Sequence, residues 1–99
     1  MNEITVEFAV YGALKNGDEN DCRAADVKTL LQKLIDSQEG IVTIDNSTMG
    51  GDPCPGNGKH FGAQITRSDG TYYYACQEGQ KIDFCHGGWP EASYKPKED

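Results

Sequence analysis

Apolar and polar residues alternate near the start of the chain, in the stretch EITVEFAVYG. A period of two residues is typical of a β-strand that buries one face. It predicts a first strand with Ile4, Val6, Phe8 and Val10 on the buried face. The next stretch, ALKNGDENDC, is rich in Asn, Gly and Asp, which favour turns, so we expect an acidic loop there.

The hydrophobic period lengthens to that of a helix between Cys22 and Gln38. The apolar positions that recur on one helical face are Ala24, Val27, Leu30, Leu31, Leu34 and Ile35. They predict an amphipathic helix, capped at its start by Asn20 or Asp21 and followed by Gly40 as a left-handed C-terminal cap. The β-branched stretch IVTID then predicts a second strand. Two strands joined by a helix are normally parallel, with a right-handed crossover, when they belong to one sheet.

The second half of the chain contains three further strand-like runs, within HFGAQITRSDGTYYYACQEGQKIDFCH. Their turn-forming separators predict a three-stranded antiparallel meander. A three-residue loop, Ser68-Asp69-Gly70, would pair Arg67 with Thr71, whereas a two-residue Asp-Gly turn would split the apolar residues between two faces. With the first pairing, the predicted core face holds Phe61, Ala63, Ile65, Tyr73, Ala75, Ile82 and Phe84. The opposite face would hold His60, Gln64, Thr66, Tyr72, Tyr74, Cys76, Asp83 and Cys85.

These elements predict a single α+β domain over residues 1–90. Its expected order is β-α-β-β-β, with one helix packed on one face of a mainly antiparallel sheet of about five strands. Residues 91–99 lack periodicity and carry Pro96 among alternating charges, so we expect a flexible C-terminal tail.

The chain is acidic, with nine basic and sixteen acidic residues and a net charge of −7. This excess repels phosphate backbones and anionic headgroups, which disfavours nucleic acid and membrane partners. No apolar run approaches the ~20 residues of a membrane span. The N-terminus also lacks the segments of a secretory leader, which predicts a cytoplasmic protein if the chain is complete as given and a secreted one if a leader was removed.

Four cysteines leave the redox state open. An even number in a short chain suits two disulfides in a secreted domain, whereas the absence of a leader suits free thiols. We expect Cys22 and Cys54 to lie on the surface-loop side of the domain and to be the pair most sensitive to redox conditions, with disulfides if the native setting is oxidising. The spacings among Cys54, His60, Cys76 and either Cys85 or His86 match no common zinc motif, so we predict neither a metal site nor a cofactor.

The stretch GDPCPGNGKHF ends like a phosphate-binding loop. It lacks the Ser or Thr that should follow the lysine, and a strand follows where such a loop needs a helix. Its glycines and prolines favour an ordered corner, and the alternative is a loop that contacts a ligand.

The candidate binding surface combines the second face of the predicted meander with this loop. The residues predicted to contact a ligand are Lys59, His60, Gln64, Tyr72, Tyr74 and Trp89. Tyrosine and tryptophan provide a large contact area at a low entropic cost. This favours a small non-catalytic binding module for a protein or a small polar ligand. The alternatives are a small enzyme with a Cys/His pair around Cys54, His60 and Cys76, and a secreted effector or inhibitor with disulfides.

Overall fold

The computed structural model describes residues 3–90, which form seven β-strands and one α-helix. In chain order they are β1 (Thr5–Leu14), β2 (Cys22–Asp26), α1 (Lys28–Ser37), β3 (Ile41–Thr43), β4 (His60–Arg67), β5 (Gly70–Gln77), β6 (Lys81–Asp83) and β7 (Trp89–Pro90). Five strands form an antiparallel sheet in the order β2-β1-β4-β5-β7. The predicted α+β class, with one helix and a mainly antiparallel five-stranded sheet, is confirmed. The tail predicted at 91–99 lies outside the described residues.

Strand β1 contains a β-bulge at Glu7, between Val6 and Phe8. The extra residue reverses the alternation of side chains beyond it. Ile4 and Val6 are buried as predicted, whereas Phe8 is 55% exposed and Val10 is half-buried on the same outer face. The predicted burial of Phe8 and Val10 is wrong, because an alternating pattern does not reveal where a bulge interrupts it.

Strand β2 occupies a segment that was predicted to form the first turns of the helix. The chain reverses after β1 in a 3₁₀ turn at Lys15–Gly17, where Asn16 has a φ of 53°. β2 then pairs with β1 along its whole length and forms an edge of the sheet. Helix α1 begins only at Lys28, whose backbone N–H donates to Asp26 Oδ1 at 3.0 Å. The predicted helix start at Cys22 is wrong because pairing with β1 outweighs a weak local helix preference.

Strands β3 and β6 pair with each other in a separate two-stranded sheet, so no parallel crossover forms among the described strands. The turn before β6 directs it there, since Gly79 N–H donates to Ile44 O at 2.7 Å and Ile44 N–H donates to Gln80 O at 2.8 Å. The predicted meander is therefore correct for β4 and β5 and wrong for the third run. Gly40 has the predicted left-handed conformation, with a φ of 85°.

The β4–β5 hairpin closes one residue away from the predicted register. Arg67 pairs with Gly70, not with Thr71, so Ser68 and Asp69 form a two-residue turn. A shift of one residue moves every β5 side chain to the other face of the sheet. The register therefore decides which aromatic rings lie in the core.

The observed register places Tyr72 and Tyr74 inside and Tyr73 outside. Tyr72 and Tyr74 are 9% and 8% exposed, whereas Tyr73 is 40% exposed and Ala75 is also exposed. The core lies between the five-stranded sheet and a second layer formed by α1 and the β3–β6 pair. Its most deeply buried members include Val6, Tyr11, Leu31, Val42, Ile44, Ile65 and Phe84. None of the helical segments in residues 3–90 has the length and hydrophobicity to cross a bilayer.

Two buried tyrosines should make the fold sensitive to alkali. Tyr11 donates its hydroxyl hydrogen to Asn46 Oδ1 at 2.7 Å, and burial raises the pKa of both Tyr11 and Tyr74 to about 12. Because the phenols ionise near pH 10 in an unfolded chain, the stabilisation that they provide is complete below pH 10. It should be lost progressively as the pH rises from about 10 to about 12.

Absorbance titration of the phenolates checks this expectation. Two of the five tyrosines in the sequence should ionise near pH 12, and the urea midpoint should fall over the same pH interval. Tyr74→Phe should remove one of the two late titrations. Ionisation of all five tyrosines near pH 10 in the folded protein would contradict the burial described above.

Candidate functional site

One face of the five-stranded sheet packs on the core, and the opposite face carries exposed side chains. Residues paired directly across neighbouring strands lie on the same face, so the strand pairing identifies the members of this surface. We call it the open face and define it by Phe8, Val10, Gly12, Ala24, His60, Gly62, Gln64, Tyr73, Ala75 and Trp89.

A continuous row of large side chains crosses four strands of the open face. Phe8 pairs with Gln64, Gln64 with Tyr73, and Tyr73 with Trp89. At the usual strand separation of about 4.8 Å, the row is about 14 Å long. Phe8 and Trp89 are 55% and 56% exposed, so both ends of the row present aromatic surface to solvent.

A flat floor of small residues lies beside the aromatic row. Val10 pairs with Gly62, and Gly62 pairs with Ala75. Because glycine has no side chain and alanine has only a methyl group, little protrudes from the middle of the floor. A Cβ atom placed on Gly62 would lie 4.0 Å from its two nearest neighbours, Tyr74 O and Val10 Cγ1. A Cβ atom would therefore fit at Gly62 at ordinary van der Waals distances, and the aromatic row forms a wall along one side of this floor.

The charge on the open face is negative. Asp26 pairs with Val10 at one edge, and Glu7 accepts a hydrogen bond from Thr66 Oγ1 at 3.0 Å near one end. Within residues 3–90, no Lys or Arg occupies a strand position on this face. The face therefore combines aromatic surface with acidic groups at its margin.

Three of the predicted contact residues lie on this surface. His60, Gln64 and Trp89 share the open face, as the strand pairing shows. Phe8 and Tyr73 also belong to it and were missed, because the bulge at Glu7 and the hairpin register turn them outward. The triplet of tyrosines indicated that aromatic rings would face outward, but the predicted register selected Tyr72 and Tyr74 instead of Tyr73.

Tyr72 and Tyr74 lie on the opposite side of the sheet from His60 and Gln64. Tyr74 packs in the aromatic core, and the Tyr72 ring lies beneath the guanidinium of Arg67, with Cζ 3.5 Å from the ring centroid. The prediction that the four residues share one face is therefore wrong. Both tyrosines are buried because the turn and the core provide partners for their hydroxyl groups.

Tyr74 and Arg67 hold the segment between β6 and β7 from inside the protein. The Tyr74 hydroxyl donates to Gly87 O at 2.8 Å, and Arg67 Nη1 lies 3.1 Å from the same oxygen. A Cβ atom on Gly88 would lie only 2.5 Å from Cζ of Tyr74, so this glycine packs directly on the ring. Trp89 is the next residue, and the buried pair therefore determines where it emerges on the open face.

Lys59 is buried within the Gly/Pro-rich loop and is 3% exposed. Its Nζ lies 2.7 Å from Asp52 Oδ1, 3.1 Å from Cys54 O and 2.5 Å from Asn57 O. The hydrogen bond between the two side chains raises the pKa of Lys59 and lowers that of Asp52. Because these acceptors occupy its three N–H groups, Lys59 stabilises the structure of the loop.

The loop meets the open face at its end. Gly58, Lys59 and His60 line a shallow depression together with Gln77, and Asn57 Oδ1 accepts from the backbone N–H of Asn16 at 3.3 Å. The interpretation of this stretch as an ordered corner agrees with these internal contacts. His60, at the start of β4, is its point of contact with the open face.

The cysteines are free thiols, and the predicted exposure of Cys54 is wrong. Cys54 is fully buried, with its Sγ 3.3 Å from Asn57 Oδ1, whereas Cys22 is exposed. Burial also raises the pKa of the Cys76 thiol, which favours its unreactive neutral form. Both features weigh against the enzyme built on Cys54, His60 and Cys76. Among residues 3–90, no group of three His, Cys, Asp or Glu side chains is placed to hold a metal ion.

Comparisons of this chain with protein-family models, curated proteins and solved structures give no match. The function is therefore inferred from the geometry and charge of the open face.

Proposed function

We propose that this protein is a small non-catalytic binding module that docks a basic segment of a partner protein on its open face. The observation that carries the proposal is the row Phe8–Gln64–Tyr73–Trp89 beside the open floor at Gly62. Together they offer a partner an aromatic wall and an unobstructed surface next to it.

The composition of the row is suited to protein recognition. Tyrosine and tryptophan are enriched among the residues that dominate binding energies, since their rings combine a large area with few rotatable bonds. Gln64 lies between the rings and can both donate and accept hydrogen bonds. The row therefore provides apolar anchors with a polar group between them.

The charge of the chain indicates the chemistry of the partner. The net charge is −7, and the open face has Glu7 and Asp26 at its margin. Complementary charge speeds association and discriminates against acidic partners. Binding should therefore weaken as the ionic strength rises from about 50 to about 500 mM, because salt screens exposed charges.

Trp89→Ala tests the proposal, with Ile41→Ala as a matched control. Both residues are large and exposed, but Ile41 lies on β3, outside the open face. We expect Trp89→Ala to reduce partner affinity by about 10-fold or more, as truncation of an aromatic anchor does, and Ile41→Ala to leave it unchanged. Capture from a cell extract followed by calorimetric titration of the captured protein measures the difference.

The proposal fails if every captured protein is retained equally by Trp89→Ala and Ile41→Ala. Another possible occupant of the open face is a second copy of this chain, and sedimentation of the protein alone measures whether it forms a dimer. A dimer that Trp89→Ala dissociates would show that a second copy of this chain, and not a basic partner, covers the open face.

A further inference from the structure

A second candidate site lies on the core side of the sheet, away from the open face. It is a polar cleft of about 500 Å³ next to the turn of the β4–β5 hairpin. Its lining includes Arg67, Asp69, Tyr72 and His86. It involves none of the residues of the proposed protein-binding surface.

Arg67 is buried more deeply than a cation normally is, since its side chain is 8% exposed. The guanidinium stacks on the Tyr72 ring, and Nη1 lies 3.0 Å from Phe84 O and 3.1 Å from Gly87 O. These contacts fix the plane of the group and satisfy one of its two amino groups. A fixed, desolvated guanidinium is pre-organised for recognition, because little rotamer entropy remains to be lost on binding.

The other edge of the guanidinium, formed by Nε and Nη2, has no hydrogen bond within residues 3–90. The nearest acidic oxygen is Asp69 Oδ1, which is 3.9 Å from Nε and therefore beyond hydrogen-bond distance. Every fully buried side-chain nitrogen or oxygen in this part of the chain has a hydrogen-bond partner. Since Nη2 has none, it is not fully buried and contacts solvent. Arg67 is one of the residues that line the cleft.

We propose that this cleft binds a carboxylate through the Nε–Nη2 edge of Arg67. That edge presents two parallel N–H groups at the spacing of the two oxygens of a carboxylate. Asp69 supports this assignment, since its largely exposed carboxylate lies 3.9 Å from Nε, close enough to form an ion pair but beyond hydrogen-bond distance. A monovalent anion is favoured over a phosphate dianion because the chain carries a net charge of −7.

Two sources of the carboxylate share this chemistry: a small carboxylic acid and the C-terminus of a peptide. The probes are sodium acetate and a short peptide with either a free or an amidated C-terminus. Nuclear magnetic resonance follows Arg67 Nε–H and the backbone amides of His86 and Gly88, with sodium chloride keeping the ionic strength constant. Acetate should produce saturable shifts with a millimolar dissociation constant, as a small ligand of this size allows.

The peptide probe then separates the two sources. If the free peptide binds at least about 10-fold more tightly than the amidated one, the site recognises a chain terminus. If acetate saturates and neither peptide binds, the site recognises small acids. Shifts that remain linear in acetate up to about 100 mM, or that chloride reproduces, would overturn the proposal.

Two pairs of variants connect binding to the cleft. Asp69→Asn removes the competing charge but keeps an acceptor for the Tyr72 hydroxyl, which donates to Asp69 at 3.0 Å. It should raise acetate affinity by about 3-fold or more, whereas Glu19→Gln, the same charge change at an exposed loop position, should not. Equal affinities in these two variants would contradict the proposal.

The second pair compares the two arginines of the sequence. Arg67→Lys should weaken acetate binding by about 10-fold or more, because an ammonium cannot offer the same pair of N–H groups. Arg23→Lys is the control, since Arg23 forms a surface ion pair with Asp21. If Arg67→Lys does not fold, the comparison of Asp69→Asn with Glu19→Gln still decides the question.

Discussion

Replacing Tyr74 with alanine should destabilise the fold by about 3–5 kcal/mol, a loss that is large against the total stability of a small domain. The ring is 8% exposed and lies 4.7 Å from the Phe84 ring, centroid to centroid. Its hydroxyl also holds Gly87 O at 2.8 Å. Alanine would leave a cavity and release the segment that leads to Trp89.

Tyr73→Ala is the matched control, because it removes the same side chain from the neighbouring position on the exposed face. Its cost should be below about 1 kcal/mol, as is usual at a surface position. Tyr74→Phe keeps the ring and loses only the hydroxyl, which should cost about 1–2 kcal/mol. Urea denaturation measures all three.

The Tyr74 series also tests the register of the β4–β5 hairpin. If Tyr73→Ala unfolds the protein and Tyr74→Ala does not, the pairing of Arg67 with Gly70 is incorrect by one residue. The predicted pairing of Arg67 with Thr71 would then be restored. Loss of partner binding in Tyr74→Ala would not assign Tyr74 to an interface, since this variant should also displace Trp89.

Gly62→Arg should abolish partner binding without harming the fold. A Cβ at this position would have no neighbour closer than 4.0 Å, so the new side chain can extend from the open face without displacing the backbone. Replacing a strand glycine also removes a conformational entropy cost, so the free energy of unfolding should stay within about 1 kcal/mol or increase. The long cationic side chain would stand on the floor where a basic partner has to lie.

We expect Gly62→Arg to weaken partner affinity by about 100-fold or more, through steric exclusion and like-charge repulsion. Ser37→Arg is the control, since it adds the same charge at an exposed position in α1, on the other side of the molecule. Calorimetric titration measures affinity, and urea denaturation shows that both variants are folded. Unchanged affinity in folded Gly62→Arg would exclude the open face as the binding surface, and equal losses in both variants would show that only net charge matters.

The sequence predicted a binding surface with aromatic and polar residues on one face of the sheet, but it identified only some of the residues that form this surface. His60 and Gln64 could be named from the sequence because they alternate with the apolar residues of β4, and Trp89 because a tryptophan shortly after the last predicted strand is a candidate contact anchor. Tyr72 and Tyr74 were assigned to the wrong face of the sheet. In the stretch TYYYAC three tyrosines are consecutive, so either face of the strand would carry tyrosine and the alternation does not show which face is buried. Phe8 could not be recognised because one bulge residue reverses the phase of β1.

Local pattern by itself determined that β1, β4, β5 and α1 exist and that the chain forms an α+β domain, since periods of two and 3.6 residues are properties of neighbouring residues. Tertiary structure alone decided the edge position of β2, the pairing of β3 with β6, and the two-residue turn that buries Tyr74. It also brought Arg67 onto Tyr72 and under the carbonyl of Gly87. These features depend on which distant groups form hydrogen bonds with the backbone and the hydroxyl groups, and on how the aromatic rings fill the core. The order of residues within one strand specifies neither the hydrogen-bond partners nor the packing of the rings.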